Sequence, residues 1–224
     1  MNPDFAALRT KMVDGQVRTT DVTDSAILDA MLAVPREEFV PAKLRPLAYI
    51  DEDVEIAPAS SSGGARYLME ASPFAKLLQL AEIRADDVVL DVGCGSGYSS
   101  AVLSRLAGSV IALEENATLA ERAQSTLDRL GYHTVAVVQG ALAAGHEPEA
   151  PYDVIVIEGG VETVPEPLLD QLKEGGRLVA VEGAGNAGIA KVYLKIDGLT
   201  SARRAFNAAV KPLPGFERTP EFEF

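Results

Sequence analysis

Three glycines at alternate positions follow an apolar run and form the most informative motif of this sequence. The run 88–92 contains Asp91 and is followed by Gly93, Gly95 and Gly97. Glycine has no side chain and tolerates positive φ, so a strand-to-helix turn of this composition lets the backbone approach a ligand closely. The motif therefore predicts a cofactor site at this turn, with Asp91 beside it. The alternative for Asp91 is an acid that caps backbone amides.

The spacing of the glycines distinguishes between cofactors. A dinucleotide fingerprint has its third glycine one position later, where this chain has Tyr98, and it holds a pyrophosphate at the helix N-terminus. S-adenosyl-L-methionine has no phosphate to hold. The motif therefore favours S-adenosyl-L-methionine as the cofactor.

A second acidic residue supports the same cofactor. The predicted strand 109–113 ends at Glu114, about twenty residues after the first glycine, where a carboxylate can accept both ribose hydroxyls of a nucleoside. We therefore expect Glu114 to bind the cofactor. The alternative is a solvated acid at a strand terminus.

The elements that position these residues follow from hydrophobic periodicity. From residue 87 onward, apolar strands alternate with helical segments, which predicts an α/β fold with a doubly wound, mostly parallel sheet and helices on both faces. The Gly175-Gly176 pair is expected to end a helix. The predicted helices are 4–13, 24–34, 72–83, 97–107, 116–130 and 165–173. The predicted strands are 54–56, 87–92, 109–113, 134–138, 152–157, 176–182, 189–196 and 205–212.

Length and composition indicate one domain, 1–224, with 47% hydrophobic residues to build its core. Within it we expect an N-terminal helical extension over 1–72, a core over 73–212 and a tail over 213–224. The chain begins with polar and acidic residues and has no apolar run of membrane-spanning length, so we expect a cytoplasmic protein that does not bind a membrane. A single cysteine excludes an internal disulfide. No Cys/His cluster predicts a metal site.

The net charge of the chain limits which partners are expected. The formal net charge of −13 opposes binding to a phosphate backbone, because such binding depends on releasing counterions to a positive surface. Nucleic acid is therefore excluded as the expected substrate. The sequence does not fix the oligomeric state.

Several motifs together resemble the protein-L-isoaspartate O-methyltransferase family over nearly the whole chain. They are Gln16-Val17-Arg18, residues 34–41 (VPREEFVP), 48–51 (AYID), 89–103 and 172–179. The resemblance implies a Rossmann-like class I methyltransferase fold with an N-terminal helical extension. It also implies S-adenosyl-L-methionine as cofactor, and methyl esterification of L-isoaspartyl carboxylates, a protein or peptide substrate, in protein repair.

The acceptor loop departs from the family pattern. Members of the family carry a Gly-Gln-Thr-Ile-Ser element after the Ala-Tyr-x-Asp segment, and Met69 stands roughly where its serine is expected. Ser62 could supply a hydroxyl from the preceding loop, although a flexible Ser/Gly linker is the alternative. Arg66 could hold the acceptor carboxylate through its planar fork, the alternative being a solvated loop arginine. Ser62 and Arg66 are therefore the candidate catalytic residues.

Two further departures lie near the expected cleft. The resemblance places Gly140 and Ala141 at the adenine, where the family has Gly-Asp, and an alanine side chain accepts no hydrogen bond. Glu158 replaces a small neutral residue, which predicts a negative charge that opposes an anionic acceptor unless Arg66 neutralises it.

Three functions remain open from these residues. The first is the isoaspartyl carboxyl methyltransferase that the resemblance implies. The second keeps S-adenosyl-L-methionine and changes the acceptor, since fold and glycine motif specify a cofactor better than a substrate. The third is a catalytically silent relative that serves as an interaction module.

Overall fold

A computed structural model describes residues 3–59, 64–183 and 187–217 of the 224-residue chain. Within these residues the helices are α1 Phe5–Met12, α2 Ser25–Ala33, α3 Ala71–Ala81, α4 Tyr98–Leu103, α5 Ala117–Leu130 and α6 Glu166–Asp170. The strands are β1 Val54–Ala57, β2 Arg66–Leu68, β3 Val88–Val92, β4 Ser109–Glu114, β5 Val135–Gln139, β6 Tyr152–Val161, β7 Leu172–Glu182, β8 Ile189–Ile196 and β9 Leu199–Asn207. Most predicted elements are confirmed to within two residues at their ends. The predicted helix 97–107 is four residues too long, since α4 ends at Leu103, whereas β6 ends four residues after the predicted 152–157 and β7 begins four residues before the predicted 176–182.

In the described part of the chain, β3 to β9 form a seven-stranded sheet in the order β5-β4-β3-β6-β7-β8-β9. The strands β3 to β7 run parallel, and β8 and β9 are antiparallel to their neighbours. The predicted doubly wound, mostly parallel sheet is confirmed. The chain runs outward from β3 to β5 and then returns to place β6 on the other side of β3. Such a reversal of strand order opens a crevice at the carboxyl ends of β3 and β6, where α/β proteins bind ligands.

Both faces of this sheet are covered. Val89 and Leu90 are neighbours on β3, yet Val89 belongs to a core packed under α2 to α5, and Leu90 belongs to a second core with Leu168 of α6. This separation follows from the two-residue alternation of side chains along a strand. The apolar face of α3, with Phe74 and Leu77, lies in the first core as its spacing predicts.

The N-terminal helices pack beside the first core. The Asp24 side chain caps α2 by accepting from Ala26 N at 2.8 Å, which satisfies a backbone donor that the helix leaves free. Helix α1 continues into a π-helical turn, Val13–Val17, whose two valines are buried. Among the described residues, no helix is long and apolar enough to cross a lipid bilayer.

The predicted strand 205–212 is wrong. The last strand, β9, begins at Leu199 and pairs with β8 in a hairpin. Asp197 and Gly198 turn this hairpin with φ of +53° and +74°, the left-handed pair that an Asp-Gly hairpin turn requires. Beyond β9 the chain crosses the sheet end, and Pro212 forms a parallel bridge with Gly160.

Two other predictions need correction. The predicted helix 165–173 is short, because Leu172 already pairs with Tyr152 in the sheet. Gly175 has the expected positive φ, +75°, but it lies within β7 at an irregularity and does not cap a helix. Strand β2 was not predicted: it forms a small antiparallel sheet with β1.

Candidate functional site

The glycine turn has the left-handed backbone that its composition predicts. Gly93, Gly95 and Gly97 have φ of +81°, +58° and +93°. Gly97 is the N-cap of α4, so the chain passes directly from β3 through the turn into this helix. The amides of Gly93 and Cys94 donate to the Leu113 carbonyl at 2.8 and 3.2 Å, which fixes the turn against the end of β4.

The chain's own side chains crowd this turn. A Cβ added at Gly95 would lie 2.6 Å from Ile56 Cδ1, and one at Gly93 would lie 2.9 Å from the methyl groups of Leu213. The close approach expected of a ligand at these two glycines is made here by Ile56 and Leu213. A bulky residue at Gly95 would therefore disturb packing and is not a clean probe of ligand binding.

Asp91 is fully buried at the end of β3. Its Oδ2 accepts from the hydroxyls of Ser99 and Ser100 on α4, at 2.7 and 2.5 Å. Its Oδ1 has no hydrogen-bond partner among the described residues. Burial is the main reason that the pKa of Asp91 is raised to about 6; the hydrogen bonds from Ser100 and Ser99 lower the pKa, and the nearby charge of Glu114 raises it. Asp91 therefore joins β3 to α4 through hydroxyl groups and keeps one oxygen unused.

Glu114 ends β4 and is completely buried, so the alternative of a solvated acid is wrong. Its Oε2 accepts from Gly95 N at 2.8 Å and its Oε1 accepts from Asn116 N at 2.9 Å. The carboxylate thus faces the glycine turn, as a residue that binds a ribose beside that turn must.

Arg66 lies at the start of β2 and reaches over the same site. Its Nη1 donates to Glu114 Oε1, and its Nη2 donates to the Gly93 carbonyl at 3.0 Å. The side chain is only 6% exposed, so the alternative of a solvated loop arginine is wrong. No spacing in the sequence links Arg66 to Glu114, which is 48 residues away.

A cavity of about 330 Å³ adjoins this ion pair at the carboxyl ends of β4 and β5. Sequence reasoning missed Gln139, the last residue of β5, which lines the cavity. Gly140 follows it and donates its amide to the Glu114 carbonyl at 3.1 Å. The other lining residues are Gly64, Arg66, Glu115, Asn116, Ala117, Thr118 and Pro214. A neutral amide at this strand end is the signal that could have identified Gln139.

The end of β6 forms the other side of the crevice. Glu158 Oε1 is buried without a hydrogen-bond partner among the described residues. Burial raises the pKa of Glu158 well above its usual range, and the charge of Asp91 raises it further. The expected negative charge is therefore opposed by the surroundings, which favour the protonated form.

The segment 208–217 closes this side of the site. Leu213 N donates to the Gly160 carbonyl and Gly160 N donates to the Lys211 carbonyl, both at 2.8 Å. A Cβ at Gly159 would lie 2.8 Å from Leu213 Cβ. Leu213 therefore lies over Gly93, which follows β3, and over Gly159 of β6.

The altered acceptor loop is partly described. Ser62 lies outside the described residues. The Met69 side chain is buried, and the Met69 carbonyl accepts from Arg36 Nη2 at 2.7 Å. Arg36 is itself buried, with its Cζ 4.7 Å from the centre of the Tyr98 ring, and its Nη1 has no partner among the described residues. Arg36 is a second buried cation near the site, and sequence reasoning used it only as part of a motif.

Comparisons with known proteins agree with one another. The family model for protein-L-isoaspartate(D-aspartate) O-methyltransferase matches residues 8–214. A protein-L-isoaspartate O-methyltransferase of Koribacter versatilis is 36% identical over 211 residues, which are 94% of this chain and 92% of that protein. Another, of Rhodopseudomonas palustris, is 44% identical over 173 residues, 77% of each chain.

Solved structures give the same fold. A protein-L-isoaspartate O-methyltransferase structure has a TM-score of 0.78 at 27% identity and covers 92% of this chain, which spans 65% of that longer chain. A putative protein-L-isoaspartate O-methyltransferase of Plasmodium falciparum, solved in complex with S-adenosyl-L-homocysteine, has a TM-score of 0.76 at 19% identity, with 96% and 100% of the two chains covered. With a family model that matches most of its length, this chain belongs to the protein-L-isoaspartate(D-aspartate) O-methyltransferase family.

Proposed function

We propose that this chain is an S-adenosyl-L-methionine-dependent methyltransferase that esterifies a carboxylate of a protein or peptide, with the L-isoaspartyl carboxylate as its acceptor. The observation that carries the proposal is the buried carboxylate of Glu114 facing the glycine turn across the ends of adjacent parallel strands. A nucleoside cofactor needs this pairing of a close backbone turn with a strand-end acid.

The polar groups of the site fit this cofactor. Glu114 is placed to accept from ribose hydroxyls, and the unused Oδ1 of Asp91 is an acceptor for an ammonium group. The Gln139 amide, at the cavity wall, offers both a donor and an acceptor to an adenine edge, which replaces the acceptor that Ala141 lacks. When bound, S-adenosyl-L-methionine would supply an electrophilic methyl group on its sulfonium.

The chain's own task is to position the acceptor. An ionised carboxylate is already a nucleophile and needs no general base, so orientation and exclusion of water carry the catalysis, a contribution that can reach about 7–11 kcal/mol. The raised pKa of Glu158 favours its neutral form, so this residue does not repel an anionic acceptor. Arg66 and the unpartnered Nη1 of Arg36 are the buried cations that can attract one.

The test is a methyl-transfer assay with an isoaspartyl peptide and its normal aspartyl twin. We expect turnover of the isoaspartyl peptide alone, and an ester that is labile to base. Equal turnover of the two peptides, or none of either despite cofactor binding, would contradict the proposed acceptor.

A second acceptor class is favoured by one observation. Met69, where the family has a serine, buries its side chain and presents no hydroxyl to an acceptor. A methyltransferase with another acceptor would bind S-adenosyl-L-homocysteine and leave both peptides unmodified. An interaction module would give no heat when titrated with S-adenosyl-L-homocysteine in a calorimeter.

A further inference from the structure

The buried ion pair between Arg66 and Glu114 lies where the cofactor ribose is expected. The two side chains are 6% and 0% exposed. Arg66 also donates to the Gly93 carbonyl at 3.0 Å. The guanidinium therefore connects the start of β2, the glycine turn and the end of β4.

Glu114 has little acceptor capacity left beside this arginine. A carboxylate offers about four lone-pair sites. Three of them take donors here: Arg66 Nη1, the Gly95 amide and the Asn116 amide. Two ribose hydroxyls need two sites. Both hydroxyls can therefore bind Glu114 only when Arg66 gives up its place.

We infer that Arg66 and the cofactor ribose are alternative partners of Glu114, and that the arginine displaced from Glu114 binds the acceptor carboxylate. The second half of this inference rests on the proposed function. Arg66 is then a positioning residue that links the two binding events: the cofactor releases the cation that the acceptor needs.

The position of Arg66 suits both roles. Its Nη2 already contacts Gly93 at the end of β3, beside the crevice between β3 and β6 where the acceptor must meet the cofactor. Arg66 binds Glu114 through Nη1 alone, and a guanidinium freed from that contact can bind an isoaspartyl carboxylate through two parallel hydrogen bonds. Each buried charge has a partner once both ligands are bound, because the ribose hydroxyls and backbone amides hold Glu114 while the acceptor holds Arg66.

The first test measures cofactor affinity without turnover. In Arg66→Met the ribose no longer competes with the guanidinium, so we expect S-adenosyl-L-homocysteine to bind about tenfold tighter by calorimetry, as for the loss of one competing charge-assisted contact. Arg18→Met is the matched control, since it removes an exposed arginine from an ion pair with Asp14, and its affinity should equal that of the wild type. Weaker binding in Arg66→Met would overturn the exchange and make Arg66 a fixed support of the site.

The second test measures acceptor binding by the fluorescence anisotropy of a labelled isoaspartyl peptide. We expect the wild type to bind the peptide about tenfold tighter with saturating S-adenosyl-L-homocysteine than without it. Arg66→Met should lose this gain. A gain of the same size in Arg66→Met would overturn the role of Arg66 in acceptor binding.

The two tests separate a failure of the exchange from a failure of the proposed function. Tighter cofactor binding in Arg66→Met, with no peptide binding by the wild type, supports the exchange and overturns the isoaspartyl acceptor. If Arg66→Met does not fold, Arg66→Lys decides. Lysine keeps the charge but lacks the fork that also reaches Gly93, so cofactor binding should tighten and the peptide gain should shrink, whereas wild-type values in both tests would overturn the inference.

Discussion

Asp91 uses one carboxyl oxygen to hold α4, and its other oxygen has no partner in the part of the chain that the structure describes. If that oxygen accepts from the cofactor ammonium, the ionised form of Asp91 is the binding form. Because its pKa is raised to about 6, the affinity for S-adenosyl-L-homocysteine should fall about tenfold per pH unit below that value. Calorimetry at several values between about pH 5 and pH 8, a range that spans this pKa, measures how the affinity depends on pH.

The Asp91→Asn variant should bind weakly with a flat profile over the same range. Asp29→Asn, a change at an exposed residue of α2, should keep the wild-type profile. An unchanged profile in Asp91→Asn would show that another group titrates.

The raised pKa of Glu158 predicts how the stability of the fold depends on pH. A buried carboxyl with a raised pKa destabilises the fold as pH rises from its ordinary pKa, about 4.3, toward the raised value, because the folded state then holds a proton that the unfolded state has lost. Glu158→Gln should remove this part of the pH dependence and unfold at a higher temperature than the wild type near neutral pH. Thermal unfolding at several pH values tests this, with Glu121→Gln on the exposed side of α5 as control. A lower Tm for Glu158→Gln at neutral pH would show that the carboxylate is ionised and stabilised in the fold.

For individual residues, the sequence predicts which ones belong to the candidate site better than it predicts the contacts that they make. Glycine turn and strand-end acid are local patterns, so Gly93 and Glu114 could be identified from spacing. The contact between Arg66 and Glu114 joins residues 48 positions apart, and it depends on how β2 folds back over the sheet. Nothing local to Arg66 indicates that its side chain is buried.

The close packing of Gly159 at the end of β6 predicts how the segment 208–217 responds to a larger side chain. A Cβ at Gly159 would lie 2.8 Å from Leu213 Cβ and 3.3 Å from the backbone of both Leu213 and Lys211. Gly159→Ala should therefore push the segment 208–217 off the sheet end and destabilise the fold by about 1–3 kcal/mol. Thermal or denaturant unfolding measures this loss.

Gly15→Ala is the matched control, because among the described residues no atom beyond its chain neighbours and its own helix backbone lies within 4 Å of the added Cβ, and the residue is in a helical turn. Its stability should be unchanged or raised by up to about 1 kcal/mol. Equal stability of Gly159→Ala and the wild type would mean that the segment yields without loss.

Elements with strong periodicity were predictable, and those defined by turns were not. The strands β3, β4 and β6 are apolar runs followed by helices, so both their type and their parallel pairing follow from the sequence. The start of β9 depends on the Asp197-Gly198 turn, a hairpin signal, whereas the apolar residues after 205 favour a strand in the wrong place. Strand β2 has three residues, too few for a period to appear.

The net charge of the whole molecule predicts which peptides it attracts. A chain with a formal charge of −13 attracts basic peptides over about 30 Å in 0.01 M salt and over about 3 Å in 1 M salt. An isoaspartyl peptide flanked by lysines should therefore have a higher kcat/KM than one flanked by glutamates at low salt. The ratio of the two values should approach one as salt is added, and a ratio independent of salt would place the preference in the site itself.

The position of the segment 208–217 after the strands of the sheet also affects the order in which the site is completed during synthesis. This segment follows every strand of the sheet in the sequence, yet Leu213 lies over Gly93 and Gly159. During translation Leu213 leaves the ribosome after all of these strands, since the chain emerges from its N-terminal side. A chain truncated just after β9 would therefore keep every strand of the sheet and have a site that lacks one wall.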